Sequence, residues 1–99
     1  MPATDPLYSV CDGHLCFDGL DLVKTADAHE TPFFVFSERR LRDNVAAVLT
    51  SFRRTHAATE VFYASKACSN RWFLGVVRDA GAGVEVNSGG ELDKALEAG

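Results

Sequence analysis

Lys66 stands where an apolar, aromatic run stops. The run reads Val61-Phe-Tyr-Ala-Ser-Lys-Ala-Cys-Ser-Asn70, and the residues after the lysine are small and polar. A strand that ends on a lysine places an amine at its carboxyl end, where chemistry collects in open and barrel α/β folds. Apolar surroundings disfavour the charged form of such an amine. A neutral lysine amine can attack an aldehyde such as that of pyridoxal phosphate and form a Schiff base. Position alone also fits an ordinary solvated loop lysine, since most lysines are exposed.

Other residues bear on the same chemistry. Glu85 lies at the end of a second strand, one βα unit after Lys66, so both can face one mouth. An exposed strand-edge glutamate is the plainer alternative. Tyr63 can border a ligand held by Lys66, although a tyrosine alternating with Phe62 along a strand also suits a core. Ser88 and Glu91 have capping-box spacing, which accounts for the pair structurally. Ser88-Gly-Gly-Glu91 also has the form of a glycine turn whose amides can bind an anion at a helix start. Cys11-x-x-His14-x-Cys16 offers metal-capable side chains, but no second pair completes a structural zinc site. Thiols packed in strands explain it better, and no metal is expected.

The elements that must position these residues can be read from pattern. Asp12-Gly13 and Asp18-Gly19 are hairpin turn signals around short apolar stretches over residues 7–20. Asp21 can cap a short helix to about His29, and Thr31-Pro32 breaks it. Phe33 to Phe36 reads as extended. Ser37 is a candidate N-cap for a helix to about His56, with Leu41, Val45, Val48, Leu49 and Phe52 on its apolar face. Arg39, Arg40, Arg42, Arg53 and Arg54 on that helix read as a solvated surface rather than a nucleic-acid patch, since few aromatics accompany them. Val61 to Ser65 is a strand. Ser69 or Asn70 opens a helix with Trp72, Phe73, Val76, Val77 and Ala80 on its buried stripe. Gly81 ends that helix. Val84 to Asn87 is a strand, and Ser88 opens a last helix to Gly99. From Ser37 the order is helix, strand, helix, strand, helix, which argues for a parallel sheet with right-handed crossovers.

Bulk composition narrows the class. The chain has 99 residues, enough for one small domain, and its 46% hydrophobic and 24% charged residues are ordinary for a globular protein. A net charge of −4 gives no general affinity for nucleic acid or anionic membranes. No apolar run approaches the roughly 18 residues of a membrane span. Met1-Pro-Ala-Thr-Asp-Pro6 lacks the basic start and apolar core of a signal peptide. Three unevenly spaced cysteines do not make a disulfide framework, so a reducing cytoplasm is expected.

Three blocks in order carry a resemblance. Tyr63-Ala-Ser-Lys-Ala-Cys-Ser-Asn70 resembles the lysine motif of the fold-type III, alanine-racemase-like pyridoxal-phosphate decarboxylases, which act on diaminopimelate, ornithine or arginine. Asp79-Ala-Gly-Ala-Gly-Val-Glu-Val-Asn-Ser-Gly-Gly-Glu-Leu92 resembles the family's second block, closing with Ala95-Leu-Glu-Ala-Gly99. Thr31-Pro-Phe-Phe-Val-Phe36 resembles its lead-in segment. The likeness runs from about His14 to Gly99 and looks closest to the diaminopimelate branch.

The resemblance implies an α/β fold: the N-terminal part of a TIM-like β/α barrel, preceded by strands that would join a C-terminal β domain. Residues 1–36 would be the strand region and lead-in segment. Residues 37–99 would be the first βα units of the cofactor-binding barrel. It implies pyridoxal 5′-phosphate as cofactor, with Lys66, Glu85 and Tyr63 at its site and Lys66 and Glu85 catalytic. Glu85 stands where the family often has aspartate, as the anion that orients the lysine and favours a protonated imine. Cys68 departs from an asparagine common in the diaminopimelate branch. The family's phosphate-binding glycines come later than residue 99. The expected protein is thus the N-terminal fragment of a homodimeric amino-acid carboxy-lyase of lysine biosynthesis, inactive as 99 residues alone. A racemase-like or non-catalytic pyridoxal-phosphate-binding barrel is the alternative, as is a decarboxylase of a siderophore or antibiotic intermediate. A small α/β binding module is a third.

Overall fold

A computed structural model describes residues 5–99, and the chain divides into two units, Met1–Ser37 and Glu38–Gly99.

The first unit is an antiparallel meander followed by a short helix. Strands β1 (Tyr8–Cys11), β2 (His14–Phe17) and β3 (Leu20–Asp21) pair in that order. Both turns are two residues long, and each has positive φ at both positions: Asp12 at 52° and Gly13 at 80°, then Asp18 at 48° and Gly19 at 82°. That is the backbone a two-residue hairpin needs to match the strands' twist. Helix α1 (Leu22–Ala28) starts on Asp21, whose carboxylate accepts from the Lys24 amide at 2.9 Å. Leu7 and Cys16 are buried. Tyr8 and Phe17 meet across β1 and β2 with ring centroids 5.1 Å apart. Phe33 to Phe36 lies in neither helix nor strand.

The second unit alternates as its spacing predicts: α2 (Glu38–Arg53), β4 (Phe62–Ala64), α3 (Arg71–Asp79), β5 (Gly83–Glu85) and α4 (Gly89–Ala98). Strands β4 and β5 are parallel, with Tyr63 beside Val84 and Ala64 beside Glu85. Asn70 caps α3 by accepting from the amides of Trp72 and Phe73 at 2.9 and 3.4 Å. Gly81 follows α3 at φ +99°, the left-handed backbone a helix stop favours. Gly83 leaves room for a neighbouring ring. A Cβ there would lie 2.7 Å from the Phe62 ring on the neighbouring strand. Phe73, Val77 and Ala82 form the core, with Leu41, Val45, Val61, Tyr63, Cys68 and Val84 packed against it.

The helix faces need correction. Trp72, expected on the buried stripe, is 49% exposed, whereas Leu74 is buried to 1%. Trp72 lies about 100° around the helix from Phe73, beyond Val76 at the outer edge of the stripe that Phe73 and Val77 centre. Leu74 lies about 100° the other way, toward Val84 of β5 and Ala95 and Ala98 of α4. On α2, Leu41, Val45 and Leu49 follow i+4 spacing toward the core, while Val48 and Phe52 fall beside that line and are exposed. Helix α2 also stops at Arg53 rather than near His56. Ser37, expected as its cap, donates its hydroxyl to Asp18 Oδ2 at 2.5 Å.

Truncating Leu74 to alanine should therefore cost about 2–5 kcal/mol, as buried leucines do when a cavity is left behind. Urea unfolding of the two variants checks this, with Trp72→Ala expected to cost less.

Candidate functional site

The carboxyl ends of β4 and β5 open at one edge of the parallel sheet. The ladder continues one residue past β4, because the Ser65 amide donates to the Glu85 carbonyl at 3.0 Å. Lys66 and Glu85 therefore leave neighbouring strands at the same end, as their spacing predicts. Both side chains are exposed. Lys66 lies in the turn after β4, where the sequence places it, but it is exposed rather than shielded by the apolar strand behind it.

The turn that carries Lys66 is held on several sides. The Ala67 amide donates to the Ala64 carbonyl at 3.2 Å and closes it. The Ser65 hydroxyl, fully buried, donates to Glu91 Oε1 at 2.8 Å. The Tyr63 hydroxyl donates to the Cys68 carbonyl at 3.0 Å. The Lys94 ammonium donates to the Ser69 hydroxyl at 3.1 Å. Lys66 takes part in none of these bonds, so its amine is left for other chemistry on a braced loop. Tyr63 packs against Phe73, with ring centroids 5.3 Å apart, and burial pushes its phenol upward. The tyrosine is both part of the core and a prop under the lysine turn.

Glu91 does more than cap a helix. Ser88 Oγ accepts from the Glu91 amide at 3.1 Å, the local half of a capping box. The Glu91 carboxylate then gathers donors from Ser65, from Ser88 Oγ at 3.1 Å and from the Asn87 amide at 3.3 Å. These bonds, that of Ser65 first, hold its carboxyl below the usual range. The same carboxylate sits at the start of α4, which disfavours an anion there. The glycine turn over Ser88-Gly-Gly is accordingly a cap and not an anion cradle. Asn87 also places its amide 3.5 Å from Glu85 Oε2.

Sequence reasoning missed Ser65, Asn87 and Lys94. Each acts through partners too distant in sequence or too weakly patterned to announce themselves; Ser65 and Glu91 are 26 residues apart. A serine closing an apolar strand was the one available signal. Elsewhere, His14 Nδ1 lies 2.9 Å from Asp21 Oδ2. Among the described residues, no group of three or more His, Cys, Asp or Glu side chains is arranged to hold a metal ion. No helix among them is long and apolar enough to cross a membrane.

The lowered carboxyl of Glu91 has a consequence for stability. A carboxylate favoured by the fold stabilises it above the unfolded group's pKa, and loses that effect as pH falls through the folded value. Glu91→Gln should therefore melt earlier than the parent at pH 7, and the gap should close as the buffer is taken into the acidic carboxylate range. Melting curves across pH check it; a gap that persists in acid contradicts it.

Comparison with known proteins adds the following. Residues 42–99 match the family model described as pyridoxal-dependent decarboxylase, pyridoxal binding domain. The chain is 37% identical over 87 residues to the diaminopimelate decarboxylase of Methanothermobacter thermautotrophicus, covering 88% of this chain and 20% of that protein. It is 32% identical over 87 residues to the Bacillus subtilis diaminopimelate decarboxylase, with the same coverage. It superposes on the crystal structure of the Methanocaldococcus jannaschii diaminopimelate decarboxylase in complex with L-lysine at a TM-score of 0.77 and 30% identity, over 94% of this chain and 22% of that one. The chain thus spans about a fifth of the length of the curated relatives it matches.

Proposed function

The chain belongs to the pyridoxal-dependent decarboxylase family, and on that premise we propose that it supplies the cofactor-holding lysine of an amino-acid decarboxylase acting on diaminopimelate. One observation carries this reading. The Ser65–Glu85 backbone bond sets an amine and a carboxylate at the same end of two parallel strands.

The residues fit pyridoxal phosphate by their donor chemistry. Lys66 offers a primary amine, engaged by none of the bonds that brace its turn, to bond the cofactor's aldehyde carbon. When bound, the cofactor supplies a ring that takes up the electrons left as carbon dioxide departs. Glu85 supplies a negative charge at the same strand end as the Lys66 amine, with the Asn87 side-chain amide 3.5 Å from its carboxylate. Tyr63 borders this site through the turn it props. Ser65 and Glu91 fix where the lysine leaves the strand, so that the amine is positioned before substrate arrives.

The wider reading belongs to the same proposal. The parallel βα units are the opening of a TIM-like barrel, and the strands before them join a C-terminal β domain. The enzyme is a homodimer in a reducing cytoplasm, consistent with three cysteines that are free in the fold. Diaminopimelate is favoured because the relatives above carry that activity in their names. The test is release of carbon dioxide by the whole protein supplied with pyridoxal phosphate. Diaminopimelate should be turned over well above ornithine, arginine or free lysine. Turnover of one of those instead replaces the substrate, and none with any amino acid removes the decarboxylase reading.

A further inference from the structure

One face of the antiparallel unit carries a group of reactive side chains that the lysine site does not use. Ser9 and Cys11 alternate along β1 and His14 and Cys16 along β2, so all four share a face of the hairpin. The register sets Cys11 opposite His14, and Ser9 opposite Cys16. Ser9 Oγ lies 3.8 Å from Cys11 Sγ, so the hydroxyl paired with one cysteine touches the other. On the far side of β2, Asp21 of β3 holds His14 Nδ1 at 2.9 and 3.2 Å from its two oxygens. The imidazole is thereby fixed with its second nitrogen free of that carboxylate. A hydrogen bond to the Cys11 thiol, followed by burial, pushes the Cys16 thiol up to about 11. Access differs sharply, for Cys11 is exposed and Cys16 is buried.

We propose that Cys11 is a modification site for low-molecular-weight disulfides, and that Cys16 resolves the adduct into a Cys11–Cys16 disulfide. Cys11 gives its proton to His14 Nε2, and its sulfur attacks one sulfur of the small disulfide. The S–S bond breaks, and one small thiol leaves with the electron pair and that proton. His14 then takes the Cys16 proton, the slower deprotonation because that thiol is held high, and the sulfur attacks Cys11 Sγ. The bond from Cys11 to the second small thiol breaks, and that thiol leaves with the electron pair and the proton. Two protein thiols are oxidised and one small disulfide is reduced to two thiols. Burial keeps the reagent from Cys16, which can act only on a sulfur already bound at Cys11. A diagonal pair on adjacent strands has Cα atoms about 7–8 Å apart, longer than an unstrained disulfide spans, so closing the bond draws the backbones of β1 and β2 together. The bond is therefore strained and readily reduced, which makes the modification reversible.

The experiment treats the reduced full chain with oxidised glutathione, quenches with acid, alkylates the remaining thiols and digests with trypsin. Lys24 is the first tryptic site, so Cys11 and Cys16 share the peptide Met1–Lys24, while Cys68 falls in Ala67–Arg71. The expected result is a Met1–Lys24 peptide lacking two hydrogens, with Cys68 alkylated. Cys16→Ser should stop at a glutathione adduct on Cys11. His14→Gln should slow the first step by about tenfold, as expected when a thiol loses its base. The proposal is overturned if Cys68 reacts first, if glutathione lands on Cys16, or if His14→Gln reacts at the parent rate. It is overturned equally if the unaltered protein closes the bond as fast in concentrated guanidinium chloride, because the fold then contributes nothing.

Discussion

Lys66→Ala, in the whole protein supplied with pyridoxal phosphate, loses decarboxylation by on the order of 10³ or more. Removing one essential member of a catalytic unit has effects of that scale. The loss arises because, among the described residues, no other lysine follows β4 or β5 at that strand end. Lys94, the nearest lysine in the sequence, is engaged with Ser69 on the flank of the turn. Lys66→Arg should fare no better, since a guanidinium keeps the charge but does not condense with an aldehyde. Neither change should alter stability by more than about 0.5 kcal/mol, the usual range for a surface side chain with no special role. Lys66 is exposed, and its turn is closed by Ser65, Ala67, Tyr63 and Ser69. Steady-state rates and melting curves on the same preparations separate the effects. A large rate loss without a melting shift is expected, whereas full activity in Lys66→Ala contradicts the assignment.

The second large effect is expected at Glu85. Glu85→Gln keeps the length of the side chain and can still accept from Asn87, but it removes the charge. If Glu85 faces the lysine nitrogen, an anion there favours the protonated linkage, and its loss lowers the pH at which that nitrogen gives up its proton. The titration of the bound cofactor's absorbance should move down by about one pH unit or more, the shift a single close charge produces. Turnover should fall with it, by about tenfold for each 1.4 kcal/mol of lost stabilisation. Glu85→Asp restores the charge and should recover most of the titration, at some cost in rate from the shorter reach. An absorbance titration identical in Glu85→Gln and the parent returns Glu85 to an ordinary strand-edge residue.

Local chemistry accounts for which features were legible in the sequence. Asp12-Gly13, Asp18-Gly19, Asp21, Asn70, Gly81 and Ser88 act within a few residues, and each turn or cap stands where its residue type requires. The alternation of helix and strand from Ser37 onward was readable for the same reason, because periodicity is a local property. Tertiary choices were not legible. Which side of α3 is covered depends on where β5 and α4 lie, so Leu74 rather than Trp72 is buried. The lysine was visible from its place after an aromatic strand, but its support was not. Glu91 read fully as a helix cap, and nothing local reveals that one of its oxygens crosses to Ser65. Strand β5 runs Gly83–Glu85, a residue earlier at its start and two residues shorter at its end than the apolar pattern over Val84 to Asn87 suggests.

Whether Lys66 holds the cofactor can be read directly on the protein. Reduction of the loaded whole protein with borohydride fixes pyridoxal to whichever amine carries it, and peptide mass mapping then reads the position. The label should fall on Lys66 and block tryptic cleavage between Lys66 and Ala67. A label on Lys24 or Lys94, or none within Glu38–Gly99, removes Lys66 from that role.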